Sequence, residues 1–422
     1  MSPPVPAASP PEADEVLIQT RNQGPSGSRP RLHAIDAIRG FCLLNIFVNH
    51  LSAGVLTRAS PSNLGLSDSA DLFVLLAGIS AYLASGDRRF RETAARLWRR
   101  AGSLYLYNLV LIAVSLAGLV ALSLVVGADV LLDGGVLQAL AQADIATATW
   151  RLVTFQQSVG FSMVLRLYVA LMLMAPALIW LARKDWWLPL PLVIAVWAIA
   201  AQFDLVARDS LTGVPLTLTI LPWTLIFGIG VALGAALKRE VSLPRSPWLL
   251  AGAVSVVVGY VVFLVIARAW PEGQAWLLAR NDSFLLGASK TYQSPLRVLH
   301  TLSLVYIFMS CARAPVLRLV HQVAPDNVFA RLGRRSAAVF MTGALIALPA
   351  NELLNLAGRQ WGAATLPALL VEVLFVAAGV ALMIAVADSA PLKPSPAHGA
   401  TSDLRIDPAL AGPLPVRSSS RP

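Results

Sequence analysis

The run from Arg31 to Leu51, RLHAIDAIRGFCLLNIFVNHL, limits the possible folds more than any other stretch of the chain. It is apolar enough to span a bilayer, yet it carries Asp36, Arg39 and His50. Each ionisable group inside a membrane costs roughly 2.5 to 3.5 kcal/mol on insertion scales. Three in one span therefore need partners inside a helix bundle. On a helix at 100° per residue, Asp36, Arg39, Leu43, Phe47 and His50 share a sector of about 80°. His50 then lies about 16 Å beyond Arg39 along the axis. A cation toward one membrane surface and an imidazole toward the other suit a site reached from both sides.

Composition sets the class. With 56% hydrophobic residues, 13% charged residues and a mean hydropathy of +0.67, the chain is too apolar for a soluble protein. The net charge of +10 raises the question of nucleic acid. The arginines, however, fall in short loops between apolar runs, which the positive-inside rule explains without a nucleic-acid partner. Cys42 and Cys311 lie singly within or beside spans, so they read as small core residues and not as a disulfide framework. No phosphate-binding Gly-rich loop, HExxH, GxSxG or CxxC motif is present, and the histidines do not cluster as metal ligands.

The expected fold is all-α, a polytopic membrane helix bundle of about ten transmembrane helices with both termini cytoplasmic. Residues 1–30 and 388–422, rich in Pro, Ser and Ala, read as disordered tails flanking one integral-membrane domain, 31–387. Spans are expected at about 32–56, 69–85, 103–126, 164–181, 188–203, 217–237, 249–266, 294–311, 336–356 and 366–387. Loop charges set the orientation. The four loops at 86–101, 182–187, 238–246 and 312–335 carry six, two, three and five Lys or Arg, whereas the opposite short loops carry only Arg58, Arg208 and Arg359. The former set is therefore cytoplasmic. Loop 268–293 breaks the pattern with Arg268, Arg280 and Lys290. The stretch 86–101 reads as an interfacial helix on anionic lipid or as arginines that meet an anionic donor, and 127–162 as an external loop with partial helix.

On this topology Asp36 and Arg39 lie toward the cytoplasm, and His50 lies toward the outside with Asp68 and Asp71 at the start of the second span. A carboxylate on one imidazole nitrogen leaves the other free as a base. The plainer alternatives are helix capping for Asp68 and an interfacial or structural role for His50. In KTYQSPLRVLH, Lys290 stands just outside the bilayer, with Arg297 and His300 one turn apart. An arginine near a helix N-terminus is disfavoured by the macrodipole, so a carboxylate or phosphate partner explains Arg297 better than helix stability; snorkelling is the alternative. Arg334, Arg335 and Ser336 open the ninth span, either as a positive anchor with a serine cap or as part of a donor site.

Together RLHAIDAIRGFCLLNIFVNHL, NLGLSDSADLFVLLAGISAYLA, SKTYQSPLRVLHTL and LGRRSAAVF resemble the OpgC family over about residues 31–387. The resemblance implies a multi-pass inner-membrane protein of bacteria that moves succinyl groups onto osmoregulated periplasmic glucans, similar to membrane O-acyltransferases of surface polysaccharides. By position it carries over Ile35, Asp36, Arg39, Gly40, His50, Asp71, Lys290, Arg297 and His300. Two places depart from the family pattern: Met163 and Arg166 stand where an Asp and a Pro are usual, and Thr224 follows Trp223 where Gln is usual.

The function expected on this basis is acyl transfer from cytoplasmic acyl-CoA, of the succinyl-CoA type, to a hydroxyl of a periplasmic glucan or other envelope polysaccharide, with no bound cofactor and no metal. His50 would act as base, oriented by Asp71. Asp36, Arg39, Asp68, Lys290, Arg297, His300, Arg334, Arg335 and Ser336 would contact substrates. The alternatives are a transporter or flippase using the same charges and a non-catalytic membrane subunit, the latter supported by the departures at Met163, Arg166 and Thr224.

Overall fold

The computed structural model describes residues 33–60, 65–86, 88–208, 213, 215–241, 244, 246–280, 283–285, 287–310, 324 and 326–389. The two expected tails, apart from residues 388 and 389, lie outside the described residues, as does Cys311. Among the described residues the regular structure is helical, with one isolated bridge between Arg208 and Pro215.

Fourteen helices follow in order among these residues: α1 His33–His50, α2 Ser69–Ser85, α3 Phe90–Val126, α4 Gly134–Gln142, α5 Ile145–Val153, α6 Ser162–Lys184, α7 Pro189–Gln202, α8 Ile220–Lys238, α9 Pro247–Arg268, α10 Pro271–Arg280, α11 Pro295–Ser310, α12 Val328–Arg334, α13 Ser336–Trp361 and α14 Leu366–Asp388. Proline sets several of these starts. It opens α7, α9 and α11 and lies in the first turn of α14, where its missing N–H costs no hydrogen bond. Six helices (α3, α6, α8, α9, α13 and α14) are long and apolar enough to cross a membrane, and α2, α7 and α11 are shorter apolar helices. The chain is thus an all-helical membrane protein. The first of the ten expected spans is α1, which falls in neither set: it has 18 residues, and its charged, histidine and asparagine side chains lower its hydropathy.

One expectation about the elements changes. The arginine-rich stretch is not a separate interfacial helix: it forms the first turns of α3, which runs 37 residues without a break. Ala, Leu, Arg and Glu dominate residues 90–101, so nothing there interrupts the helix. The 127–162 region holds two short helices, α4 and α5, where partial helix was expected.

The core forms where α2 and α8 lie side by side. Gly78 faces the Phe227 carbonyl, Gly230 faces that of Leu75, and Gly234 faces Ile79 and Tyr82. From Gly78 against Gly230 to Tyr82 against Gly234, positions rise together along both helices, so the two run parallel. Small residues let backbones approach where no hydrophobic effect drives association. Phe47 on α1 fills a second seam against Gly343 of α13 and Gly379 of α14. A third close approach joins α1 to α12: Gly40 meets the Phe329 backbone and Gly333 meets that of Asp36. By contrast, α9 and α14 bury little of their surface and present apolar faces outward.

Gly230→Ala tests the first seam, because a Cβ there would strike the Leu75 carbonyl. Overpacking of this kind costs about 1–3 kcal/mol, and the thermal midpoint in detergent is expected to fall. Gly252→Ala, with nothing within 4 Å of the added carbon, is the control and leaves the midpoint unchanged or raises it.

Candidate functional site

Five of the expected site residues meet at one end of the bundle, where α1 ends and α2 and α11 begin. Asp68 is the N-cap of α2, its carboxylate accepting from Ala70 N–H at 2.9 Å while Asp71 Oδ2 accepts from Asp68 N–H at 2.8 Å. The capping role raised for Asp68 is therefore present, but it is not the whole role. Lys290 forms an ion pair with Asp68, and Arg297 Nη2 lies 3.3 Å from the same carboxylate.

Arg297 is buried against Asp71, which is fully buried itself. Nε donates to Asp71 Oδ1 at 3.0 Å and Nη2 to Oδ2 at 2.5 Å. Nη1 donates to the carbonyls of Leu66 and Ala288, both at 2.9 Å. A guanidinium has five N–H donors; four are hydrogen-bonded to Asp71 and these two carbonyls, and the ion pair with Asp68 lies beside them. Gln293 adds a bond to Asp71 Oδ1 at 2.7 Å. His300 is buried one turn further along α11, with Nδ1 2.7 Å from the Ser67 hydroxyl and its ring edge toward Tyr260. The predicted carboxylate partner of Arg297 thus exists, but it is Asp71 of the same chain and not a substrate.

This geometry corrects the expected link between Asp71 and His50. Both Asp71 oxygens are taken by Arg297, Gln293 and the Asp68 N–H. His50 instead stacks on Phe161, ring centroids 3.6 Å apart at 14°, with Phe340 edge-on at 6.3 Å. The ring is half-buried, and the charged groups close enough to act on it are Lys290 and Asp68. Lys290 keeps 40% of its side chain exposed, so it is the accessible cation of the group.

The loop carrying Lys290 is fixed from two other helices. Trp223 of α8, fully buried, donates its indole N–H to the Lys290 carbonyl at 2.6 Å. Trp197 of α7 donates to the carbonyls of Tyr292 and Gln293 at 3.0 and 2.9 Å. Thr224, one of the departures, donates within α8 to the Leu221 carbonyl at 2.6 Å and takes no part in this anchor. Met163, another, accepts from the Thr217 hydroxyl at 2.8 Å.

The remaining expected residues form a second layer. Arg39 donates to Ser336 Oγ at 2.8 Å, lies 4.0 Å from Asp36 and sits over the Phe73 ring at 5.5 Å. Because Asn45 bonds Ser69 at 2.5 Å, α1 and α2 are staggered. Twelve residues of α2 follow Phe73. Arg39 is therefore buried, about 18 Å of helical rise short of the end of α2 and level with the start of α13. Arg335 donates to the Val386 carbonyl at 3.0 Å, tying the start of α13 to the end of α14, and Arg334 beside it is half-buried. At the far end of α2 a cavity of about 320 Å³ is lined by Tyr82, Arg183, Lys238 and Arg239.

Two residues that the sequence reading passed over shape the His50 end. Glu372 of α14 accepts from the N–H groups of Val55 and Leu56 at 2.7 and 2.8 Å. Glu352 of α13 accepts from Leu132 and Asp133 N–H at 2.7 and 2.9 Å. Both are buried. A glutamate inside an apolar run was the signal available.

Arg297→Met leaves Asp71 buried without its partner, which is expected to cost about 3–5 kcal/mol. Combining it with Asp71→Leu is expected to recover most of that loss. A double-mutant cycle from detergent unfolding midpoints checks this; simple additivity would rule the pairing out.

A family profile described as OpgC protein matches residues 31–393. No curated protein and no solved structure matches the chain. With that profile covering most of the sequence, the chain belongs to the OpgC family.

Proposed function

We propose that this protein is an integral-membrane O-acyltransferase of the bacterial inner membrane, moving a succinyl-type acyl group from cytoplasmic acyl-CoA to a hydroxyl of a periplasmic glucan. The observation that carries the reading is His50: a half-buried imidazole with no hydrogen bond to any described residue, held by stacking on Phe161 beside the Lys290–Asp68 pair. Such a ring is positioned yet keeps its nitrogens for a substrate. Membership of a family associated with succinyl transfer supports the acyl chemistry.

The donor enters from the Ser85 end, where Arg183, Lys238 and Arg239 line the cavity, and Arg334, Arg335 and the buried Arg39 carry positive charge along the way. Its flexible thioester arm reaches toward His50. His50 takes the proton of the glucan hydroxyl as that oxygen attacks the thioester carbonyl carbon. Lys290 stabilises the negative charge that develops on the carbonyl oxygen. The carbon–sulfur bond then breaks, the ester is released, and the CoA sulfur leaves with the proton from His50. Asp71 acts at one remove: it holds Arg297, which fixes the segment bearing Lys290.

His50→Ala is expected to fold, with a thermal midpoint near that of the unmodified protein, and to lose about 10²–10⁴-fold in transfer rate. The assay uses purified protein in detergent with succinyl-CoA and a soluble glucan, read by mass spectrometry as a gain of one acyl unit. Near-normal product from the alanine variant would overturn the assignment. Because no closed vesicle is present, product in detergent also separates an enzyme from a transporter.

A further inference from the structure

Arg166 of α6 is 4% exposed and has no carboxylate partner among the described residues. Its hydrogen bonds are long and go to neutral acceptors. Nη1 donates to the Phe155 carbonyl at 3.3 Å and the Ser158 hydroxyl at 3.4 Å, and Nη2 to the Thr217 carbonyl at 3.4 Å. Charge-assisted bonds to oxygen usually fall near 2.7–2.9 Å. A buried charge normally has a paired counter-charge. Arg297 meets that condition through Asp71 and Asp68; Arg166 does not.

The backbone around Arg166 is strained in its favour. Phe155 has φ 64°, and Leu218, directly after Thr217, has φ 56°. Bulky residues rarely adopt this left-handed region, so the fold holds both carbonyls on the guanidinium against local preference. Gln157, in the same loop, has a buried side-chain oxygen with no hydrogen-bond partner.

Arg166 lies on the helix capped by Phe161, the ring stacked on His50, five residues or about 7.5 Å of helical rise along it. The segment it grips leads on to the Lys290 loop, since Thr219 donates to the Thr291 carbonyl and Thr291 to that of Leu216. The two carboxyl carbons of a succinyl group are separated by three carbon–carbon bonds, about 4 Å.

We propose that Arg166 is the anchor for the free carboxylate of a dicarboxylic acyl chain whose thioester end lies at His50. It selects a charged acyl group over a neutral one of equal length, a task Arg297 cannot take because it is already paired with Asp71 and Asp68. The proposal rests on the acyl-transfer reading and deepens it. A carboxylate supplies the paired acceptor oxygens that a guanidinium fork matches.

The test compares succinyl-CoA with butyryl-CoA, which has the same chain length but ends in a methyl group. Ligand-induced thermal stabilisation of the purified full chain in detergent is the readout, with no acceptor present. The expected result is a preference for succinyl-CoA of about tenfold or more in affinity, abolished in Arg166→Gln and reduced in Arg166→Lys. Should the glutamine variant fail to fold, the lysine variant decides. An unchanged preference in whichever folded variant is tested overturns the anchor. Equal stabilisation of the unmodified protein by both thioesters overturns the anchor and leaves acyl transfer standing. Stabilisation by neither overturns the acyl-transfer reading itself.

Discussion

The His50 end of this bundle depends on one buried arginine that is committed to two carboxylates and two carbonyls. Arg297 joins the first turn of α11 to the first turn of α2 through Asp71 and Asp68, and it takes the carbonyls of Leu66 and Ala288 besides. Removing either member of such a pair strands a charge, whereas replacing both is close to neutral. The pair is therefore better understood as fixing geometry than as adding net stability. It sets which side of α11 faces α2, buries His300 against Ser67, and holds the 288–294 segment where Trp197 and Trp223 can bind its carbonyls.

Much of this was legible in the sequence because the constraint is energetic. Apolar runs bounded by Pro, Ser and Gly gave the long helices, and the macrodipole argument pointed to an anionic partner for Arg297. What pattern alone does not reveal is who that partner is. Asp71 and Arg297 are 226 positions apart in the chain, and no periodicity links them. Proximity in sequence favoured Asp71 for His50, but a buried guanidinium competes for a carboxylate far more strongly than a neutral imidazole does. The level of Arg39 against α2 was hidden for a related reason. Hydropathy locates a helix along the chain but not its axial offset from a neighbour, and that offset is fixed by the Asn45–Ser69 bond and by the Gly40 and Gly333 crossings.

The buried glutamates show how the orientation of His50 is sustained from a distance. After α1 ends at His50 the chain turns, and the N–H groups of residues 53–56 have no helical partners. Asn351 accepts from Ala53, and Glu372 accepts from Val55 and Leu56. A Cβ at Gly54 would meet the Glu372 carboxylate and displace it from these N–H groups. Two helices late in the chain thus pin the segment that follows the imidazole. A carboxylate bonded to paired backbone N–H groups is satisfied without a cation, which explains how an acidic residue survives in the apolar α14.

Charge pairing links the acyl anchor to the reacting end. Beside His50, Asp68 and Asp71 pair with Lys290 and Arg297, while the Glu352 and Glu372 carboxylates take backbone N–H groups. Arg166 is buried and, among the described residues, bonded to neutral oxygens only. A neutral acyl chain would give that guanidinium no counter-charge, and a dicarboxylic one would supply it. In the proposed reaction the same pairing favours Lys290 as the group that meets the oxyanion. It is the exposed member of its pair, and Asp68 retains Arg297 as a neighbour when Lys290 turns toward substrate. Arg166, one of three residues that depart from the resemblance, is then the one that completes the electrostatics of the site.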